Sequence, residues 1–306
     1  MAASASSFAN FLAQQKPLFD ENNKLKLKQH HHLIIGNPAG DADSIISALA
    51  LAHVDHLLSS ATKVPIVSIP RADMTLRRET VLLLEMLNIS TETLLYLDDL
   101  IVTEESVTGN TVTLVDHNQL VYPALLAVDK HQYDVVEILD HHFDEQAHID
   151  QVTDTNRNIA FLDNTALVAS TCTLVVERWL LNNNDDNDGT TTKMTIPADL
   201  SFALLAVILL DTVNMSPAAG KGTVRDETAM TALMQQTDWS SLSQQDAHTK
   251  EFFNDNGEPN CTKLYNHLSD SKFDIDFWKS LSVTDALRLD YKQFLTSGDG
   301  AFGAAS

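Results

Sequence analysis

The sequence predicts an α/β fold: a doubly wound, mainly parallel sheet with flanking helices, followed by a helical C-terminal segment. Three observations support this prediction. Short runs of branched apolar residues alternate with longer apolar runs of helical length, as in repeated βαβ units. Several short runs end in acidic or imidazole side chains, and ligand-binding residues of parallel sheets collect at the carboxyl ends of strands. Beyond Arg225 the pattern becomes helical and more polar.

Length and composition fit this class. The 306 residues suffice for one large or two modest domains, and an apolar fraction of 44% can fill a core. The formal net charge of −22 argues against binding to nucleic acid or to anionic membranes. An anionic substrate would need a local reversal of this field, which bound divalent cations supply. Two distant cysteines, no secretory signal and no long apolar span predict a cytoplasmic protein.

The first predicted strand, residues 33–36, leads into a turn that carries two aspartates. Asn37, Asp41 and Asp43 lie on this turn, which contains proline and glycine and precedes a helix at residues 45–58. Both carboxylates can face one point, and hard divalent cations prefer oxygen ligands. A capped helix start with a hydrated turn is the alternative; it accounts well for one aspartate and less well for two plus Asn37.

Three arginines follow the second predicted strand, residues 64–69. Arg71, Arg77 and Arg78 lie within eight residues of a chain that is short of basic residues. Because a guanidinium makes bidentate contacts with phosphate, these residues are predicted to bind an anionic substrate. Ordinary surface arginines at the start of the next helix are the alternative. A third, edge-like strand is predicted at residues 94–97.

Two further predicted strands, residues 111–115 and 134–139, end in acidic and imidazole side chains. The terminal residues are Asp116, His117 and Asn118 for the first, and Asp140, His141 and His142 for the second. Neighbouring side chains at a strand end point in different directions, so one histidine can bind a metal while the next faces a substrate. A polar loop with two solvated histidines is the alternative for the second strand taken alone.

Two apolar helices complete the predicted set. The first begins near Ser170, whose hydroxyl can hold an anion together with the amides of a helix start. The second covers residues 196–210 and ends at Asp211. A lone carboxylate at the end of an apolar segment needs a partner, either a cation or nearby backbone amides.

These carboxylates and imidazoles suit two divalent ions, with one carboxylate bridging them. Mixed aspartate and histidine ligation without thiolate favours Mn²⁺, Mg²⁺ or Co²⁺ over structural zinc. Two such ions about 3.5–4 Å apart activate a water and hold a transferring phosphoryl group. The candidate residues are Asn37, Asp41, Asp43, Asp116, Asp140, His141, His142 and Asp211.

The order of these motifs resembles that of the DHH phosphoesterase superfamily. The matching segments are Gly36-Asn37 with residues 41–44, then residues 115–118, 140–142 and 210–212. A closer resemblance, to the exopolyphosphatase and prune branch, is carried by residues 69–78, 140–144 and 281–294. The similarity runs from near Phe11 to Phe294. The four-part motif set is specific, whereas a single Asp-His-His tripeptide is not.

The resemblance implies two metal ions held by four aspartates and one histidine. The implied ligands are Asp41 and Asp116 for one ion, and Asp43, Asp116, His141 and Asp211 for the other. Asp116 would bridge the two ions. Asn37 stands where related inorganic pyrophosphatases carry a histidine ligand. The first site is therefore expected to be weakened or reshaped, because an amide oxygen is a poorer ligand than imidazole.

The resemblance also implies catalytic and substrate-binding residues. His142 would contact a phosphate oxygen or donate a proton, and Asn37 and Asp116 would complete the catalytic set. The residues expected to bind the substrate are Arg71, Arg77, Arg78, His117 and Ser170. The pair His117-Asn118 looks more like the pyrophosphatase form of its motif, so the substrate assignment stays open at this point.

The function that the resemblance implies is metal-dependent hydrolysis of phosphoanhydride bonds. The substrate would be inorganic polyphosphate or another small phosphoanhydride, and the cofactor Mn²⁺ or Mg²⁺, with Co²⁺ also suitable. The alternatives are a catalytically weak or inactive prune-like binding or regulatory module, an inorganic pyrophosphatase, and a nucleotide phosphodiesterase. No protein partner is implied.

The chain is predicted to have four parts. These are an N-terminal extension at residues 1–29, a metal-binding catalytic domain at 30–220, a helical segment or linker at 221–295, and a flexible tail at 296–306. Members of the superfamily branch continue into a second, C-terminal domain that closes over the site and supplies basic residues. This chain stops at Ser306, where that domain is expected to begin. Without such a lid we expect metal binding to persist and turnover to be reduced.

Overall fold

A computed structural model describes residues 7–15, 25–26, 31–101, 109–122, 125, 133–183, 194–245, 248–289, 291–295 and 301–305. Of the predicted N-terminal extension, residues 7–15 and 25–26 are described, and the remainder lies outside the described residues.

A five-stranded parallel sheet forms the centre of the fold. The strands in chain order are β1 (Leu25–Lys26), β2 (His32–Ile35), β3 (Lys63–Ile66), β4 (Leu100–Ile101), β5 (Thr111–Val115), β6 (Asp134–Asp140), β7 (Arg157–Ile159), β8 (Phe161–Leu162), β9 (Thr165–Ala166), β10 (Tyr291–Leu295) and β11 (Ala301–Ala305). The central sheet has the order β3-β2-β5-β6-β7, and every neighbouring pair in it is parallel. The short strands β1 and β4 form a separate parallel pair.

Helices flank this sheet. They are α1 (Phe8–Gln14), α2 (Ala42–Ser59), α3 (Arg78–Met86), α4 (Thr171–Asn183), α5 (Ala198–Asp211), α6 (Val224–Gln236), α7 (Cys261–Lys272), α8 (Ile275–Ser280) and α9 (Val283–Leu289). The longest, α2, starts at Asp41, whose extended backbone and side chain cap the first turn. It ends at Ser60, which has a left-handed backbone. The prediction of a mainly parallel sheet flanked by helices is confirmed.

The sheet separates two hydrophobic cores because side chains alternate along each strand. In β2, Ile34 faces a core that includes side chains from α2, α4 and α5. Leu33 and Ile35 face the opposite core, which also contains Leu120 and Val152 from connecting segments. Burial on both faces explains why these strands are almost continuously apolar in sequence.

The predicted strand at residues 94–97 makes a single bridge to the edge of the sheet, at Val67. At the bridge, Val67 N donates to Leu95 O (2.8 Å) and Leu97 N donates to Val67 O (3.0 Å). Pro65 lies two residues earlier on the same edge, so its backbone faces the same side, and proline has no N–H to donate. Pro65 therefore cannot donate a ladder bond at this edge.

The C-terminal segment packs against the sheet domain through α6 and α7, which contact α4 and α5 respectively. Leu233 of α6, and Leu264 and Leu268 of α7, lie in the same core as α2. One core thus includes side chains from both sides of the predicted boundary at residue 220. Among the described residues, none of the helices combines the length and apolar character that a bilayer-spanning segment needs.

The predicted helical C-terminal segment is confirmed, and a pair of strands follows it at the end of the chain. Strands β10 and β11 pair antiparallel, with Tyr291 opposite Ala305 and Leu295 opposite Ala301. The five intervening residues include Gly298 and Gly300, a composition typical of hairpin connections. The sequence therefore contains a hairpin signal at this point.

Candidate metal centre

The site lies where the turns after three neighbouring strands meet. Strands β2, β5 and β6 are adjacent and parallel, so their carboxyl ends lie at one edge of the sheet. A hydrogen bond from Asp116 N to Leu139 O (2.9 Å) joins the residue after β5 to the penultimate residue of β6 at this edge. The start of α4 and the end of α5 approach from the helical side and contribute further polar groups.

Asp116 is the most connected side chain of the site. It is 2% exposed, and its φ of 61° is left-handed, which aspartate tolerates better than most residues. Its Oδ2 accepts hydrogen bonds from Asn37 Nδ2 (2.7 Å) and Ser44 Oγ (2.7 Å). Its Oδ1 lies 3.3 Å from His141 Nε2 and 3.6 Å from His142 Nδ1. One oxygen is thus held by the turn after β2, and the other faces the two imidazoles.

Three side chains are spaced as ligands of one cation. Ligand atoms of Asp116, His141 and His142 all lie within 4.8 Å of one another. The group contains two of the predicted metal ligands, Asp116 and His141. It also includes His142, which the family resemblance assigns to the substrate.

Asp43 faces the same centre from the first turn of α2. Its Oδ2 lies 3.6 Å from His141 Nε2. Three donors at the start of α4 bond to its carboxylate: the Ser170 hydroxyl (2.7 Å), the Thr171 amide (2.7 Å) and the Cys172 amide (3.0 Å). Burial, and then the charge of Asp116, raise the pKa of Asp43 to about 7. Ser170 therefore holds a carboxylate of the protein, and its predicted role in substrate binding stays a prediction.

Asp41 and Asp211 lie outside the group that His141 joins. Asp41 caps α2, since its Oδ1 accepts a hydrogen bond from Ser44 N (3.0 Å). Asp211 ends α5, and its Oδ2 is buried without a hydrogen-bond partner among the described residues. Burial, and then the charges of Asp43 and Asp41, raise the pKa of Asp211 well above its ordinary value.

The backbone after Asp211 is strained. Val213, Asn214 and Met215 have φ values of 53°, 52° and 54°. A left-handed backbone is uncommon for residues other than glycine, and it is especially unfavourable for a β-branched residue such as Val213. Such strain is often found beside functional side chains, because the surrounding structure must hold the residues in place.

The donor set fits a divalent cation. Burial alone would lower the pKa of His141, but hydrogen bonding to Asp116 and the charges of Asp116 and Asp43 raise it to about 10. A proton on His141 therefore balances part of the acidic charge. A metal ion would supply that positive charge and leave Nε2 as a ligand. The unpartnered oxygen of Asp211 is an additional acceptor for a cation.

Asp140 orients the second histidine. Its buried Oδ1 accepts from His141 N (2.8 Å) and contacts His142 Nδ1 (2.8 Å), and its Oδ2 accepts from Asn118 Nδ2 (2.6 Å). Burial alone would lower the pKa of His142, but the bond to Asp140 and the charge of Asp116 raise it. The side chain of His142 is 42% exposed, so it combines a fixed orientation with access to solvent.

Asn37 orients Asp116. Its Oδ1 accepts from Ala39 N (2.8 Å), while its Nδ2 donates to Asp116. The amide oxygen thus accepts hydrogen bonds from the turn, and the expectation that Asn37 weakens or reshapes the first metal site stays a prediction. His117 lines a cavity of about 150 Å³ with Asn37 and His142. Burial lowers the pKa of His117, and its predicted role in substrate binding stays a prediction.

The three predicted phosphate-binding arginines contact protein groups. Arg71 donates to Asp99 Oδ2 (2.6 Å), and Arg78 donates to Asp274 Oδ2 (2.7 Å). Arg77 is 2% exposed and donates to main-chain carbonyls. All three guanidinium groups thus contact protein groups in this structure, and their predicted role in substrate binding stays a prediction. In a chain with a net charge of −22, nearby acceptors are abundant and occupy the few guanidinium groups.

Sequence reasoning missed the donors that hold the carboxylates. Ser44 and Asn118 belong to the recognised motifs. The sequence does not indicate that they donate to Asp116 and Asp140 respectively. Thr171 donates its amide to Asp43 and its hydroxyl to Asp116 Oδ1 (3.3 Å), across more than fifty residues of sequence. No local pattern indicates such a contact.

Several known proteins are similar to this chain in sequence. Exopolyphosphatase PRUNE1 of Rattus norvegicus is 28% identical over 270 residues, which cover 87% of this chain and 50% of that protein. The Bos taurus protein of the same name is 29% identical with the same coverage. A putative exopolyphosphatase of Schizosaccharomyces pombe is 26% identical over 267 residues, covering 87% of this chain and 60% of the relative. The chain spans about half the length of the PRUNE1 relatives it matches.

Residues 31–208 match the model of the family described as "DHH family, N-terminal domain". This segment includes the sheet and the turns that carry Asp43, Asp116 and His141. It also covers more than half of the 306 residues. The chain therefore belongs to the DHH family.

Proposed function

We propose that the chain carries the metal centre of an exopolyphosphatase-like phosphohydrolase, which releases phosphate from inorganic polyphosphate. The observation that carries the proposal is the convergence of Asp43, Asp116, His141 and His142 at the carboxyl edge of a parallel sheet. Membership of the DHH family and the names of the relatives support the reaction class.

The proposed ligands are Asp43, Asp116 and His141, with Asp41 and Asp211 completing the set for two ions. Oxygen and imidazole donors without thiolate favour Mn²⁺ or Mg²⁺, with Co²⁺ also suitable. When bound, these ions would activate a water and take up negative charge of the transferring phosphoryl group. They would also offset the acidic field that otherwise repels a polyanion.

The chain's own side chains would then fix and complete the centre. Asn37 and Ser44 hold one oxygen of Asp116, so its other oxygen points at the imidazoles. Asp140 contacts Nδ1 of His142, which leaves Nε2 of this accessible ring to donate a proton to a phosphate oxygen. A donor oriented in this way typically contributes about 10²–10⁴-fold to the rate.

The test is phosphate release by the purified chain from polyphosphates of several lengths and from pyrophosphate, with Mn²⁺ or Mg²⁺. We expect release from polyphosphate, and a loss of about 100-fold or more in Asp116→Asn, since even outer-shell changes cost 10–100-fold. Asparagine tolerates the left-handed backbone at this position, and its single oxygen can still accept from Asn37 and Ser44, so a folded variant that lacks the charge is expected.

Other outcomes separate the alternatives. Release from pyrophosphate alone would favour an inorganic pyrophosphatase, and hydrolysis of a cyclic nucleotide alone would favour a phosphodiesterase. If none of these substrates yields product above the Asp116→Asn background, the hydrolase proposal fails and the binding-module alternative gains support.

A further inference from the structure

Arg77 is a buried cation that binds main-chain oxygens. Its Nε donates to Ala39 O (3.1 Å) and Gly40 O (2.8 Å), and its terminal Nη2 also donates to Ala39 O. The same Nη2 donates to Arg288 O (2.9 Å), at the end of α9. One guanidinium thus joins two segments that lie more than 200 residues apart in sequence.

The carbonyls of Ala39 and Gly40 belong to the turn that begins α2. Asp41 follows them directly and caps the helix, and Asp43 lies in its first turn. Gly40 has a left-handed φ of 56°, and a Cβ at this position would overlap Ile69. The turn is therefore closely packed on one side and hydrogen-bonded to Arg77 on the other.

Arg71 provides an internal comparison. It lies in the same segment and is also held by protein groups, Asp99 and the carbonyl of Leu94. None of these acceptors belongs to the turn that precedes α2. Arg77 therefore differs from Arg71 in its contact with the turn that precedes α2.

The end of α9 is joined to the same segment a second time. The side chain of Arg288 lies 3.4 Å from Asp73 Oδ1, while its carbonyl accepts from Arg77. A displacement of α9 would move the acceptor of Arg77 and, through it, alter how the Ala39–Gly40 carbonyls are held.

We propose that Arg77 is a positioning residue of the metal centre. It fixes the turn that carries Asp41 and Asp43, and it couples this turn to the end of α9 in the C-terminal segment. The expected effect on metal binding rests on the proposed function. The effect on the turn itself does not.

The test compares Arg77→Met with the matched control Arg71→Met in the full chain. Mn²⁺ affinity is measured by calorimetry, and amide hydrogen exchange is measured in the absence of metal. We expect Arg77→Met to bind Mn²⁺ about 10- to 100-fold more weakly, as for other residues that orient ligands, and Arg71→Met to stay within about twofold. Exchange should rise together at residues 39–45 and 286–289 in Arg77→Met, with the β5 amides unchanged.

A second variant covers loss of folding. If Arg77→Met does not fold, Arg77→Lys retains the charge with a single point donor, and the same two segments should exchange faster than in wild type. Unchanged exchange in both segments, or an equal loss of affinity in Arg71→Met, would overturn the inference. Mn²⁺ binding without phosphate release by the wild-type chain would count against the proposed function and leave this inference intact.

Discussion

The two carboxylate oxygens of Asp116 have different partners. Oδ2 is held by Asn37 and Ser44, and Oδ1 faces His141 and His142. Motif order indicated that Asp116 and His141 belong to one site. The division between the two oxygens followed only from tertiary hydrogen bonds, because Asn37 lies 79 residues away along the chain.

The arginines illustrate the same limit. Their composition indicated phosphate binding, since a guanidinium suits phosphate in general. Which acceptor a guanidinium finds depends on neighbours from distant segments, such as Asp274 for Arg78 and the carbonyl of Ala39 for Arg77. A residue type and its spacing do not determine that choice.

His32 of β2 lies in a polar network with Thr113 of β5 and Glu137 of β6. Thr113 Oγ1 donates to Glu137 (3.1 Å), so its oxygen accepts from His32 Nε2 (2.7 Å). Burial, followed by the charges of Lys63 and Arg178 against that of Glu137, lowers the pKa of His32 from 6.5 to about 4. Protonation of this ring is therefore unfavourable in the folded protein.

The stability of the protein is expected to fall with this protonation. Between pH 6.5 and 4 the unfolded chain binds more protons at His32 than the folded chain, so the free energy of unfolding decreases as pH falls through this window. After allowance for partial exposure, we expect about 1–2 kcal/mol to be lost between pH 7 and 5 through this residue.

Urea unfolding of wild type and His32→Gln at pH 7 and pH 5 measures this effect. Glutamine keeps a donor for Thr113 and has no titrating ring, so the variant should lose less stability on acidification. Equal losses in the two proteins would contradict the prediction and assign the acid sensitivity to other groups.

At the scale of elements, apolar runs and their polar ends predicted β2, β5 and β6 and the positions of their functional turns. The failures have local physical causes. The predicted strand at residues 94–97 makes a single bridge because a 3-10 turn begins at Leu97. The hairpin of β10 and β11 follows three helices directly, so the helical pattern beyond Arg225 does not indicate it.

The start of α4 depends on α6. The buried carboxylate of Asp226 accepts hydrogen bonds from Ala169 N (3.0 Å), Thr173 Oγ1 (2.6 Å) and Thr223 Oγ1 (2.8 Å). The helix start that it holds supplies the donors for Asp43. The C-terminal segment thus contacts the candidate metal centre at the start of α4 and, through the carbonyl of Arg288, contacts Arg77.

Replacement of Asp226 by asparagine should weaken both stability and metal binding. An amide nitrogen facing buried donors leaves them unpaired, at a cost of about 1–3 kcal/mol in the free energy of unfolding. Mn²⁺ affinity should also fall, because Asp43 loses a fixed set of donors. The control is Glu227→Gln on the exposed side of α6, which should change the free energy of unfolding by less than about 0.5 kcal/mol.

Denaturant unfolding and Mn²⁺ calorimetry on the two variants decide this prediction. If Asp226→Asn binds Mn²⁺ as tightly as wild type despite its lower stability, α6 stabilises the fold without positioning Asp43.

For the whole molecule, the acidic centre links metal binding to stability. Asp211 has a buried oxygen without a hydrogen-bond partner among the described residues, and the chain carries a net charge of −22. A cation that binds only the folded state stabilises it by about 2.7 kcal/mol at a concentration 100 times its Kd. We therefore expect Mn²⁺ to raise the melting temperature and EDTA to reverse the change.

The variant Asp211→Asn separates the two contributions. Without metal it should be at least as stable as wild type, because it removes a buried carboxylate that is costly to desolvate. Its gain in melting temperature on addition of Mn²⁺ should be smaller than that of wild type. Thermal unfolding followed by circular dichroism measures both, and a full Mn²⁺ gain in the variant would exclude Asp211 as a ligand.

Pro65 has a consequence for how this molecule meets other chains. Peptides often bind by adding a strand to an open sheet edge, where a row of donors and acceptors guides them. On the β3 edge that row is interrupted at Pro65, and the groups of Val67 are already used by Leu95 and Leu97. This margin is therefore protected against sheet-to-sheet aggregation, and recognition here must rely on side chains and shape.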